Sequence, residues 1–377
     1  MLYFLQNLSI DKEEDIMFLA WNEITRSKLR YALIISVMFL ISYLVFFLTG
    51  LAYGLAEDNR TAVDKWQADG IVLSDESNTN INMSMIPLKA MNDVEAKEKA
   101  VLGQTAAVIQ LDKKKAEKIN ASFFGINKDE FLMPNIIEGK AFADDDEAVV
   151  DSSLKEENNI QLDDTIKLAG SDKKLKVVGF TDDAKFNVAP VLYVSTGAFQ
   201  QIRFEKSDTS ENARVNAIVF RAKDSSLKNV ELKSDDLTSY SIQKFINELP
   251  GYSAQVLTFG FMIGFLIVIA AIVIGIFIYV LTMQKATIFG IMKAQGISGK
   301  YISVSVIVQT FVLAVFGIGI GLLGTVGTSL VLPTAVPFQS NWLFFLTIGG
   351  LMLIIAVFGA LFSVRTIVKI DPLKAIG

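Results

Sequence analysis

A chain of 377 residues with 51% hydrophobic and 20% charged side chains is either one large soluble domain or a membrane protein with a soluble insert. No Asp, Glu, Lys or Arg occurs in Tyr31–Ala56, in Leu249–Gln284 or in Tyr301–Val364, and such runs exceed what a soluble core helix needs and suit a bilayer core about 30 Å thick. The chain has no cysteine, which excludes disulfides, and no histidine, which removes the commonest general base and metal ligand.

Residues 1–16, MLYFLQNLSIDKEEDI, are acidic where a secretory signal would be basic; they read as an N-terminal extension, with Met17 an alternative start. Residues 17–30, MFLAWNEITRSKLR, set Phe18, Trp21, Ile24 and Leu29 near one face and Asn22, Arg26 and Arg30 on another. This pattern predicts an amphipathic helix lying in the inner interface with a Trp anchor. A first span follows over 31–56. Gly54-Leu55-Ala56 has the small-x-small form of a cleavage site, but the apolar run before it is about twice the core of a signal peptide, so a retained span is expected.

Residues 57–250 form a polar segment, and Glu57–Glu248 holds 34 acidic and 25 basic residues, a net of −9, against +4 for the rest of the chain. Ala100–Leu111, Glu147–Asp151, Asp164–Ala169, Lys174–Asp183, Pro190–Ser195 and Val215–Ala222 alternate or run apolar with β-branched residues, as strands do. DKKKAEKI, SSLKEENN, TGAFQQIRF and SDDLTSYSIQKFINELPG read as helices, the last over Leu237–Leu249. GLAEDNRTAVDKWQADG, after the first span, also reads as helical. The expected domain is α/β, with helices at both ends continuing the spans as a stalk that moves with the membrane bundle.

A second span is predicted over 253–283, a basic loop over 284–300, a third span over 302–331 and a fourth over 342–364, with Pro333 and Pro337 breaking the long final run; 365–377 is a basic tail. Arg26, Lys28 and Arg30, then Lys285, Lys293 and Lys300, then Arg365, Lys369 and Lys374 flank span ends on one side, whereas the loop 333–341 has no charge. Both termini are therefore expected in the cytoplasm and the large domain outside the cell membrane. Gly50/Gly54, Gly260/Gly264 and Gly317/Gly321 have the spacing that lets helices approach closely, within one chain or between two.

No span carries Asp, Glu, Lys or Arg at mid-depth, which removes the support for a proton relay or ion path. Gly299-Lys300 is not a P-loop, because Ala294 and Tyr301 stand where glycine and Ser/Thr are required. Asp144–Glu147 lacks the spaced ligands and glycine of an EF-hand loop, and no metal site, catalytic constellation or nucleic-acid-binding pattern stands out. Something other than an ion path or a P-loop on this chain must supply the energy for any work. In the loop, Ala286–Gln295 reads as a short helix whose Ile288, Phe289, Ile291 and Met292 are too apolar for a solvated connector.

MQKATIFGIMKAQGISGKYI, through Gln284, Lys285, Gly290, Lys293, Ala294 and Gly296, resembles the loop after the second span in FtsX-like, MacB-type permeases of ABC transporters. KIDPLKAIG, through Lys369, Asp371, Pro372 and Ala375, resembles that family's terminus, and EAVVDSSLKEENNIQLDDTIKLAG with KVVGFTDD and PVLYVS is similar to its core domain. Ile288-Phe289 stand where many members have Glu. Within the family, RYALIISVMFLISYLVFFLTGLAYGLAEDN is most similar to haem-efflux permeases of Gram-positive bacteria.

The resemblance implies four transmembrane helices with a MacB core-like α/β domain between the first two, a homodimer in lipid, and two copies of a separate ATPase subunit that holds the ATP. It implies work by mechanotransmission, with Lys285, Ile288, Phe289, Gly290, Met292, Lys293 and Gly296 coupling to the ATPase. Haem would be substrate, with no permanently bound cofactor. Its iron would then meet only Tyr, Met or carboxylate groups, and the candidates near the outer interface are Glu57, Tyr53, Asp58, Tyr252, Met83 and Met85. Export of another amphipathic compound or peptide, or FtsX-like control of a cell-wall hydrolase, would use the same layout.

Overall fold

The computed structural model describes residues 28–112, 117–222 and 230–368. The expected N-terminal extension, the interfacial helix up to residue 27, residues 113–116 of the DKKKAEKI segment and the terminal Lys369, Asp371, Pro372 and Ala375 lie outside the described residues. The chain divides into two compact units, one of Gly54–Leu257 with Pro333–Pro337 and the other of the remaining residues.

Among the described residues, four helices are long and apolar enough to cross a membrane: α1 (Lys28–Asp58), α6 (Tyr252–Gln284), α8 (Gly299–Ser329) and α9 (Trp342–Val368). In the helical unit, Phe46, Ile274, Leu313, Phe345 and Met352 share one core. Two glycines on α8 explain how it packs on α1. A side chain at Gly317 would meet Cβ of Met38 at 2.5 Å, and one at Gly321 would collide with Ser42, whose hydroxyl donates to the carbonyls of Met38 (2.7 Å) and Gly317 (3.2 Å). A side chain added at Gly260 or Gly264 on α6 would meet nothing within 4 Å among the described residues, so no close helix approach uses this pair there.

Besides five two-residue strands, the described part of the other unit has β1 (Gly70–Ser74), β2 (Glu98–Leu111), β3 (Ile119–Ile126), β4 (Glu147–Asp151), β5 (Thr165–Leu168), β6 (Lys174–Thr181), β7 (Lys185–Phe186), β8 (Ala189–Ser195), β9 (Ala217–Arg221) and β10 (Leu237–Ser241). Following the pairings, β8–β4–β6–β5–β2–β3 returns to β8 and closes a ring. The 14-residue β2 serves two sheets: Glu98–Leu102 pair with β9 in an antiparallel β2–β9–β1–β10 sheet, and Gly103–Leu111 pair into the ring. Alternation along β3 puts Phe123 into a core with Val150, Leu175 and Leu192, and Phe124 into another with Trp66, Phe186, Tyr193 and Phe245.

Short helices α2 (Thr61–Asp64), α3 (Ser153–Asn158), α4 (Thr196–Phe204) and α5 (Ile242–Asn247) decorate this unit. Two helical expectations are corrected. Leu237–Leu249 is not one helix: Leu237–Ser241 is an edge strand whose five residues all pair with β1, and Ser241 then caps α5 by accepting from the amide of Lys244 at 3.1 Å. LTSYS, with a β-branched and an aromatic residue, suits a pleated edge better than a helix. The segment after the first span is likewise broken, since α1 ends at Asp58 and only the single turn α2 follows before Gln67 takes a left-handed φ of 46°.

Candidate functional site

Between α6 and α8 lies α7 (Ala286–Ala294), held by a defined turn. Gly296 has φ +88°, its amide donates to the carbonyl of Lys293 (3.0 Å), and the amide of Ile297 donates to that of Met292 (3.0 Å). This double closure is a Schellman stop, and it requires the left-handed region that glycine adopts without strain. Ser298 then starts α8 by accepting from the amide of Tyr301.

The apolar residues of α7 fall on two faces. Phe289 is buried with Ile302, Val306 and Val364, and Met292 and Ile297 pack against that cluster. Ile288 and Ile291, three residues apart, are 53% and 43% exposed. Phe289 and Met292 therefore hold α7 to α8 and α9, while Ile288 and Ile291 present an apolar stripe outward. Gly290 is buried, and Lys293 is half-buried on the same helix.

Lys285 is placed differently from a surface contact, being only 7% exposed. Its ammonium donates to the phenol oxygen of Tyr31 on α1 (2.8 Å) and to Oε1 of Gln309 on α8 (3.1 Å), and Nε2 of Gln309 donates to the same phenol (2.6 Å). The cluster ties the start of α7 to two spans and gives the buried ammonium two oxygen acceptors. No local pattern marks Tyr31 for this role, whereas Gln309 is an isolated amide in the apolar run VIVQTFV.

The outer candidates separate into several places. Tyr53 belongs to the helical unit and meets Phe344 edge-on at 5.5 Å. In the other unit, Glu57 lies 3.4 Å from Arg60, which also pairs with Asp64 at 3.0 Å and interacts with Tyr252. Burial pushes the Asp64 carboxyl up, with Arg60 opposing and Glu57 adding to the shift. Asp58 is buried and paired with Lys185 at 2.9 Å. Met83, 69% exposed, and the half-buried Met85 sit in a separate loop, anchored where Asn216 donates to the carbonyls of Ile81 (2.9 Å) and Ser84 (3.1 Å). Arg60 thus brings Glu57 and Tyr252 together, Lys185 holds Asp58, and the methionines stand on other supports.

Comparison with known proteins matches residues 32–232 to the MacB-like periplasmic core domain and residues 260–372 to the FtsX-like permease C-terminal family. "Putative hemin transport system permease protein HrtB" of Staphylococcus haemolyticus is 24% identical over 361 residues, covering 96% of this chain and 99% of its own. The protein of the same name from Staphylococcus epidermidis is 26% identical over 372 residues, with the same coverage. Among solved structures, the periplasmic region of MacB from Actinobacillus actinomycetemcomitans aligns with 49% of this chain and 93% of its own, at 12% identity and a TM-score of 0.36.

Proposed function

The chain belongs to the MacB/FtsX family of ABC-type permeases, and from that premise we propose that it is the membrane subunit of an ATP-driven exporter whose cargo is haem. The observation that carries the cargo is the near end-to-end match to two permeases named for hemin transport. In this reading two copies of the chain sit in the cell membrane with both termini in the cytoplasm and the strand-rich unit outside. Two copies of a separate ATPase dock on them.

The docking element is α7. Its exposed Ile288 and Ile291 supply apolar area to a groove on the ATPase, while Phe289, Met292 and the Lys285 cluster fix α7 to the spans so that movement of the ATPase moves them. Haem enters from the membrane and is driven out by mechanotransmission, without passage through a central channel. With no His or Cys in the chain, the iron meets oxygen or thioether groups. Glu57 is the carboxylate assigned to cargo contact, because its pair with Arg60 is long at 3.4 Å while Asp58 is committed to Lys185 at 2.9 Å. Tyr53, Tyr252, Met83 and Met85 are secondary contacts.

The test is growth on haem. A strain lacking the chain should arrest at haem concentrations its parent tolerates and recover with the gene restored. Parental tolerance in the deletion strain would end the haem reading and leave the permease family assignment in place.

A further inference from the structure

Helix α1 runs unbroken from Lys28 to Asp58, and its outer end lacks the glycine that commonly closes a helix. Its last carbonyls must find donors elsewhere. Asn59 donates its side-chain amide to the carbonyl of Leu55 at 2.8 Å, and the amide of Arg60 donates to that of Glu57 at 2.8 Å. The carbonyls of Asp58 and Asn59 are taken by a distant element: the amide of Val188 donates to Asp58 and that of Asn187 to Asn59, each at 3.1 Å.

These donors are the two turn residues of the β7–β8 hairpin, with Lys185 paired to Pro190 and Phe186 to Ala189. Both have positive φ, 50° at Asn187 and 67° at Val188. A two-residue turn of this kind favours Asn-Gly, and a β-branched residue in the left-handed region is strained. Val188 is also 43% exposed, so no burial of its side chain offsets that strain. What the turn conformation does provide is a pair of outward amides aimed at the end of α1.

The remaining contacts reinforce the grip. The Lys185 ammonium pairs with the buried Asp58 carboxylate at 2.9 Å, placing a cation at the negative end of α1. The Lys185 amide donates to the Thr61 hydroxyl at 2.9 Å, and Lys65 pairs with Asp182 at 2.6 Å. Asn59 donates further to Oε1 of Gln255, in the first turn of α6, at 3.3 Å. On the far side of the hairpin, β8 pairs with both β3 and β4 inside the ring.

We propose that the β7–β8 hairpin is a clamp that fixes the outer end of α1 to the strand ring and stays closed throughout the cycle, so that displacement of α1 is passed into β8. The clamp itself follows from the geometry above; its role in transport rests on the permease reading. Lys185, Thr61 and the turn amides are positioning groups that touch no cargo.

The experiment uses the full-length permease in lipid nanodiscs. Amide hydrogen exchange at Asn187 and Val188 should be slow in the native chain. It should speed about tenfold or more in the Lys185→Met/Thr61→Val double variant, while exchange at β2 stays unchanged. Val188→Gly keeps the donor and relieves the strain, and should retain protection. Fast exchange at both turn amides of the native chain, or protection unmoved in the double variant, overturns the clamp. In cells, the double variant should retain ATP hydrolysis by the assembled complex and lose export; full export with an opened clamp overturns the transmission role. If the native chain exports no haem the cargo reading fails, and the exchange result still decides the clamp.

Discussion

Replacing Ile288 and Ile291 together by aspartate should release the ATPase from the permease while the permease remains folded in the membrane. Both side chains face outward from α7, so the change leaves the cluster of Phe289, Ile302, Val306 and Val364 intact. Each isoleucine buried at a docking surface contributes about 1.5–3 kcal/mol, so losing both weakens association by about a hundredfold or more, and two carboxylates in an apolar groove add to the loss. Co-purification of the ATPase with tagged permease reads this directly. Met292→Asp is the contrasting variant: it puts a charge into the packed face and should lower the amount of permease recovered from membranes, since the connector itself loses its seat. Retained ATPase with the double isoleucine change would place the docking surface elsewhere.

Trp66→Ala should produce the largest loss of stability in the strand-rich unit. Trp66 is buried just after α2, stacks on Phe245 of α5 at 6.4 Å and touches Phe124 of β3 at 5.8 Å. The residues that follow the first span and those that precede the second thus meet in one core. Truncating such a side chain costs about 3–5 kcal/mol, so hydrogen exchange at core amides of β2 and β3 should accelerate by about two to four orders of magnitude. Trp66→Phe should cost far less, because it keeps an aromatic ring in the stack and deletes an indole N–H that has no partner among the described residues. Equal losses from both changes would contradict the packing account.

The spans were legible because charge is absent over lengths that only a bilayer requires. The strands Glu147–Asp151, Lys174–Thr181 and Ala189–Ser195 were legible because β-branched runs are bounded by turn residues. The strands Gly70–Ser74 and Ile119–Ile126 carry no such signal: both are buried on two faces, so neither shows the alternation that marks a half-exposed strand. Leu237–Ser241 is a strand against its helical expectation because its partner, β1, is far away in sequence, and pairing rather than local preference decides it.

At the candidate site, the composition of α7 signalled its apolar character, but the division into Ile288 and Ile291 outside and Phe289 and Met292 inside needed the packing of α8 and α9. Lys285 read as one of three loop cations, and its burial depends on Tyr31 and Gln309, which lie in separate spans. Asp58 read as a cargo contact from its place at the end of the first apolar run. Its partner Lys185 stands 127 residues away, a distance over which no sequence pattern links the two.

Whether this chain drives haem out of the membrane by work received through α7 is read from the haem content of purified membranes after a haem challenge. Membranes from cells lacking the chain should hold more haem than those of the parent. The native gene should restore the parental level, and the Ile288→Asp/Ile291→Asp gene should not, although its product is present in equal amount. Equal haem content in parent and deletion membranes, or full restoration by the double variant, would contradict the account.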